Sequence, residues 1–562
     1  MKSFRCFAAS LLVAVGALVA ASAASAASCE SLATLALPNA TISSATNVTG
    51  GSFTPPGATT PLTGLPGFCR VVGIATPTSD SIITFEVWIP SDGTYNGKYQ
   101  QLGCGGFCGS IAYSGLAEGI RRGYATSATD DGSQTGGTAL FALGHPEKIV
   151  DFGYRALKET TDKSKEVIHA FTGHGPKLSY FAGCSDGGRE ALMEAQRYPD
   201  DFDGIIVGSP ANLWTHLLAG AIFTQQKLLE DPAAYIPPTL LPVLTAGVLA
   251  QCAGKDGGLS TDAFLNNPLA CHFDPAKVQC KAGQDPTTCL NASQVNVVRA
   301  LYAGPRNPVT GRQIFPGYEP GEESNPADWP VWLTGSLRVT TLSNNLGSGE
   351  SLAGFFGYGF FADMVFQNPN FDYTKFNFTS DVAYTDRTLG PIVNSTDPDL
   401  RPFERHGGKI IHYVGWADSA IPPLNTVNYY NEVGRVVGGA RDERSIERFY
   451  RLYMAPGMAH CAGGPGANAF GNGVNGPVVD AHHDLLKSLE QWVEQGIAPD
   501  EIIATKYVGD NPAAGIAFQR PLCRFPEVAH YDGHGDPTSA TSFVCGHGSG
   551  ESTKDQELKA PF

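Results

Sequence analysis

Leu178-Ser179-Tyr180-Phe181-Ala182-Gly183-Cys184-Ser185-Asp186-Gly187-Gly188-Arg189-Glu190 reads as a short buried strand, a G-x-S-x-G turn and the approach to a helix. That order makes the sharp strand-to-helix turn that lifts a serine hydroxyl above a sheet. Glycines on both sides leave room for a backbone that would otherwise clash. In a chain this rich in glycine the five-residue pattern alone is weak. Its place between a strand and a helix selects Ser185 as a nucleophile over an ordinary glycine turn.

Working outward, Ile82 to Pro90 alternates and β-branches like a strand. Tyr99-Gln100-Gln101-Leu102 leads into the glycine-rich turn Gly103-Cys104-Gly105-Gly106-Phe107, and Gly123 to Ser127 reads as the next strand. Tyr154, Leu157, Val167, Ile168 and Phe171 suit an amphipathic helix from about 151 to 171. A second helix is expected from Glu190 to Tyr198, and a strand at Asp203 to Gly208. Strands alternating with helices predict an α/β chain with a mainly parallel, doubly wound sheet. From about 212 to 400 the rhythm gives way to Gly, Pro, Asn, aromatics and four cysteines, which reads as an insertion. Strand rhythm returns at Lys409 to Gly415 and at Arg448 to Tyr453.

A serine hydroxyl needs a base to take its proton during attack. With this turn the partners follow in the order serine, acid, histidine. Asp418 lies just past the strand ending near Val414 and is the expected acid, preferred over a turn or helix-capping aspartate. His460 lies in the loop after the strand ending near Tyr453 and is the expected base. His412 falls in a strand and His482 and His483 on an expected helix, while His530 and His534 remain open. Cys184 precedes the serine and Cys461 follows the histidine, so a disulfide between them would tie the two together.

The 562 residues are 42% hydrophobic and 16% charged, enough apolar material for a large core and a second domain. The net charge of −16 and the lack of a basic run exclude nucleic acid as a partner. Lys2 and Arg5, an apolar stretch from about Phe7 to Ala21 and the small residues up to Ala26 read as a signal peptide over 1–26. The mature chain is expected to be secreted or periplasmic, with no membrane span. Cys6 would leave with the signal, and an even number of the 13 cysteines remains, as disulfides in an exported chain require.

Three stretches together resemble the tannase and feruloyl esterase family, which also contains the mono(2-hydroxyethyl) terephthalate hydrolases. They are Gly183 to Glu190, Gly415-Trp416-Ala417-Asp418 and His460-Cys461-Ala462-Gly463-Gly464; Arg520 to Cys523 and Ser542 to Cys545 extend the likeness. The resemblance implies an α/β-hydrolase fold, with a catalytic domain over 27–211 and 401–562 and a lid over 212–400. It implies the disulfides Cys184–Cys461, Cys29–Cys69, Cys252–Cys271, Cys280–Cys289 and Cys523–Cys545, which leaves Cys104 and Cys108 for each other. It places the oxyanion hole at the amide of Asp186 and the Gly105-Gly106 turn. Family lids often bind a structural calcium. Here the loop Cys252 to Asp262 offers Asp256, Gly258 and Asp262, with Ala253 where the family has its first aspartate and two residues inserted before Asp262. Calcium asks for about six to eight oxygens.

The reaction implied is acyl transfer through Ser185, without a cofactor, on a small-molecule ester of an aromatic acid: a hydroxycinnamate or a terephthalate monoester. The alternatives are a tannase acting on galloyl esters, a serine peptidase, and a silent hydrolase fold that only binds its ligand.

Overall fold

The computed structural model describes Met1 and residues 27–345, 349–439 and 443–548, so the expected signal segment falls outside the described residues apart from Met1. The described residues build one nine-stranded sheet. In chain order its strands are β1 (Ala40–Val48), β2 (Phe68–Ala75), β3 (Ile83–Pro90), β4 (Lys98–Leu102), β5 (Ala125–Thr129), β6 (Leu178–Cys184), β7 (Gly204–Gly208), β8 (Lys409–Gly415) and β9 (Tyr450–Ala455). Across the sheet they run β1-β2-β3-β5-β4-β6-β7-β8-β9.

The pairings β1–β2, β2–β3 and β3–β5 are antiparallel. From β5 onward every pairing is parallel. This is the sheet of an α/β-hydrolase, with an antiparallel start ahead of the expected parallel body. The β-branched runs explain the buried strands: Ile205, Val207, Ile410, Ile411 and Val414 are all within the core. One face is covered by helix Ala156–Thr172, whose Leu157, Val167 and Ile168 pack with Val71, Val87 and Ile89. On the other, Leu485, Leu489 and Trp492 of helix Leu485–Gln495 pack with Tyr180, Ile411 and Tyr413.

Three local readings are corrected. Residues Asp151–Arg155 form a π-helical turn before the α-helix begins at Ala156. The helix after the serine starts at Asp186 and runs to Arg197, not from Glu190. His482 and His483 sit in a turn ahead of the helix that opens at Leu485.

Between Gly208 and Lys409 no described residue joins the sheet. This segment carries helices Trp214–Leu229, Leu241–Cys252, Ala292–Ala303 and Leu352–Gly359. Its Trp214, Phe360 and Phe361 share a core with Phe107, Phe141 and Phe152 of the sheet domain. Among the described residues no helix is long and apolar enough to cross a membrane.

Candidate active site

Ser185 stands between β6 and the helix Asp186–Arg197 with φ 68° and ψ −121°. A non-glycine residue adopts that conformation only when its surroundings impose it. Its N–H donates to the Gly208 carbonyl at 3.0 Å, and its own carbonyl accepts from Gly188, Arg189 and Ala211. The glycines are needed for close approach: a Cβ on Gly183 would meet the Gly187 carbonyl oxygen at 2.3 Å. The elbow is therefore held by backbone contacts on both sides.

Asp418 follows β8 and is 2% exposed. Its Oδ1 accepts the N–H of Ala420 at 3.0 Å and of Ile421 at 2.9 Å. Its Oδ2 lies 2.9 Å from Nδ1 of His460. Two amides fix the carboxylate, and the carboxylate fixes the imidazole with Nδ1 as donor, which leaves Nε2 as the basic nitrogen. The His460 loop after β9 is pulled onto the acid loop by the Ala417 N–H, which donates to the Met458 carbonyl at 3.1 Å. The disulfide Cys184–Cys461, with Cα atoms 6.0 Å apart, joins the residue before Ser185 to the residue after His460. The bridge thus ties the turn that carries Ser185 to the loop that carries His460, and His460 is paired with Asp418.

The remaining candidate histidines lie elsewhere. His412 is buried in β8 beside the Tyr450 hydroxyl. His530 bonds the His547 carbonyl in a peripheral hairpin, and His534 is an exposed turn residue.

Beside the elbow, the Cys104 carbonyl accepts the Gly187 N–H at 2.8 Å and the Gly105 carbonyl accepts the Cys108 N–H at 3.0 Å. Among the described residues the amides of Gly105, Gly106 and Asp186 have no acceptor. Unpaired backbone amides beside the candidate serine are the kind of donors that a developing oxyanion needs.

Two side chains that sequence reasoning missed face the same place from the inserted segment. Trp332 meets the His460 ring edge-on at 5.1 Å and stacks on Phe356 at 6.2 Å. Phe356 lies against Gly106, and both aromatics are half-buried. Asp328 opens the short helix Trp329–Trp332 and accepts the Ser419 hydroxyl at 3.1 Å, beside Asp418. Burial holds its carboxyl well above the usual range. No motif marks these residues; only the fold assembles them.

A family model for tannase and feruloyl esterase matches residues 69–546. The chain belongs to the tannase and feruloyl esterase family. It is a carboxylic ester hydrolase. It is 43% identical over 554 residues to an uncharacterized esterase of Xanthomonas campestris pv. campestris, covering 95% of this chain and 93% of that protein. It is 31% identical over 480 residues to a probable feruloyl esterase B-1 of Aspergillus flavus, covering 85% and 86% of the two chains. The crystal structure of feruloyl esterase B from Aspergillus oryzae superposes with a TM-score of 0.83 at 28% identity, over 92% of this chain and 99% of that one.

In this tannase and feruloyl esterase family member, further disulfides join Cys29–Cys69, Cys104–Cys108, Cys252–Cys271, Cys280–Cys289 and Cys523–Cys545. Asp256, Gly258 and Asp262 do come together, with both carboxylates close to Gly258. They do not fit calcium. Asp256 Oδ2 accepts the N–H of Asn266 and Asn267, and its Oδ1 that of Gly258. Asp262 Oδ1 pairs with Arg520 at 3.1 Å and its Oδ2 accepts the Leu259 N–H. Two carboxylates already occupied, one of them by a guanidinium, fall short of the oxygen cage that calcium takes.

Proposed function

We propose that this protein is an exported serine esterase that hydrolyses esters of aromatic carboxylic acids, hydroxycinnamates foremost, through an acyl-enzyme on Ser185. Ser185 attacks the ester carbonyl while Nε2 of His460 takes its proton, and Asp418 holds the imidazole and stabilises its cation. The tetrahedral oxyanion is met by the amide of Asp186 and by Gly105 or Gly106. His460 then gives its proton to the leaving alcohol, and water, activated by the same imidazole, releases the acid.

The observation that carries the reading is the Asp418–His460 pair, joined to the strained Ser185 turn by the Cys184–Cys461 bridge. The inserted segment acts as a lid over this centre. Support for an aromatic acyl group comes from Trp332 and Phe356, whose rings border the histidine and the glycine turn. Flat acyl groups gain from offset or edge contacts with such rings. Relatives named as feruloyl esterases point to the hydroxycinnamoyl class. Export is supported by the amino-terminal segment and six disulfides.

The test is a panel of initial rates on methyl ferulate, methyl gallate, mono(2-hydroxyethyl) terephthalate and methyl butyrate. Methyl ferulate is expected to exceed methyl butyrate in kcat/KM by at least about tenfold. A preference for the aliphatic ester would overturn the aromatic assignment, and dominance of the gallate would make the protein a tannase.

A further inference from the structure

The Gly105-Gly106 turn has no side chain of its own to anchor it, and glycine backbone is conformationally permissive. The Cys104–Cys108 disulfide and the Cys108 N–H on the Gly105 carbonyl close the turn on itself, and its seat against the sheet is set by the residues that lead into it. Gly103 continues β4 by donating its N–H to the Ala182 carbonyl at 3.0 Å. The next amide, that of Cys104, donates to Oε2 of Glu190 at 3.0 Å. The carboxylate lies flat on the chain there: a Cβ on Gly103 would stand 2.5 Å from the same oxygen. Glu190 sits five residues after Ser185, in the helix that opens at Asp186, and is 1% exposed.

Glu190 is itself enclosed. Asp131, from the loop after β5, and Asp186 and Arg189, from its own helix, gather with it beside Cys104 and Cys108. Arg189 is fully buried, pairs with Asp186, and donates to the carbonyls of Gly153 at 2.8 Å and Phe152 at 2.9 Å. Three buried carboxyls thus face one guanidinium, and such a cluster keeps protons. Burial and the neighbouring Asp186 push Glu190 up to about 7, and burial with Glu190 beside it raises Asp131 well above the usual carboxylate range.

From this geometry we propose that Glu190 is a positioning residue of the oxyanion hole, fixing the Gly105-Gly106 turn against the helix that begins at the nucleophile. The inference rests on the serine-esterase reading above. A buried glutamate that served packing alone would lower stability when removed and leave the rate of the folded enzyme unchanged. A positioning residue acts on the transition state: displaced amides no longer reach the oxyanion, while the ground-state ester binds as before.

The experiment compares E190A, E190D and E190Q with the unaltered mature protein and with S185A, on p-nitrophenyl butyrate, alongside inhibition by phenylboronic acid, which forms a tetrahedral oxyanion on an active serine. E190A is expected to lose about 10–100-fold in kcat with KM within about twofold, and to weaken boronate inhibition by a similar factor. E190D, which folds with its carboxylate withdrawn by one methylene, is expected to lose kcat in the same sense. E190Q, which keeps an acceptor for the Cys104 amide, is expected to recover kcat to within about fivefold. Wild-type kcat in E190D, or in folded E190A, overturns the proposal while the reading stands if S185A is inactive. An active S185A would instead sink the reading itself.

Discussion

Oδ2 of Asp418 and Nδ1 of His460 lie 2.9 Å apart, and the other oxygen of Asp418 is held by the amides of Ala420 and Ile421. The carboxylate therefore has one orientation, and it imposes one tautomer on the imidazole. Asp418→Asn keeps an acceptor for the two amides but turns a donor toward Nδ1. We expect the fold to survive, with Tm within a few degrees, and kcat on p-nitrophenyl butyrate to fall by roughly 10³–10⁴-fold. A loss below about tenfold would show that Asp418 caps its loop and does nothing more.

Trp332 meets the His460 ring and Phe356 from the inserted segment. Trp332→Ala removes the ring packed on His460 and Phe356 while leaving the serine, the acid and the base themselves unchanged. The expected outcome is a KM for methyl ferulate raised about 5–20-fold, with p-nitrophenyl acetate changed by less than about threefold. Equal losses on both substrates would place Trp332 in support of His460 rather than in substrate selection.

Much of this centre is legible in the sequence. Buried β-branched runs mark β7 and β8, and a short Tyr-Phe run marks β6; the elbow, acid and base stand after the carboxyl ends of β6, β8 and β9. The antiparallel start is harder to read, because β1 buries only one of its nine residues and carries no apolar alternation strong enough to mark a strand. The helix after Ser185 begins four residues before Glu190. Gly187 and Gly188 look like breakers, yet they are there for backbone contact: a Cβ on Gly187 would come within 2.8 Å of the Cys104 carbonyl. Trp332, Phe356, Asp328 and Asp131 are invisible in sequence because each acquires its role only from a neighbour far along the chain.

Stability carries a pH signature. Glu190 moves from an ordinary 4.5 to about 7 in the folded protein, and Asp131 and Asp186 are raised in the same direction by burial. The folded state holds protons that the unfolded chain has released across this window, so stability falls as pH rises. The Glu190 contribution is fully present below about 4.5 and lost once pH passes about 7. Thermal melts are expected to give a Tm higher at pH 5 than at pH 8 by roughly 2–4 °C, with a smaller difference in E190Q. A Tm that rises with pH over this range would contradict the buried, proton-holding cluster.

Asp262 already pairs with Arg520, and Asp256 with the amides of Gly258, Asn266 and Asn267. Chelation should therefore cost nothing: EDTA is expected to shift Tm by less than about 1 °C. A fall of several degrees that calcium chloride reverses would show that the loop does hold the ion.

The central claim is that the Ser185 hydroxyl is the nucleophile. Labelling with a fluorophosphonate, followed by intact-mass and peptide analysis, tests it most directly. One adduct is expected, on the peptide that contains Ser185, absent from Ser185→Ala and formed far more slowly in His460→Ala. An adduct at another residue, or esterase activity undiminished in Ser185→Ala, would contradict the account.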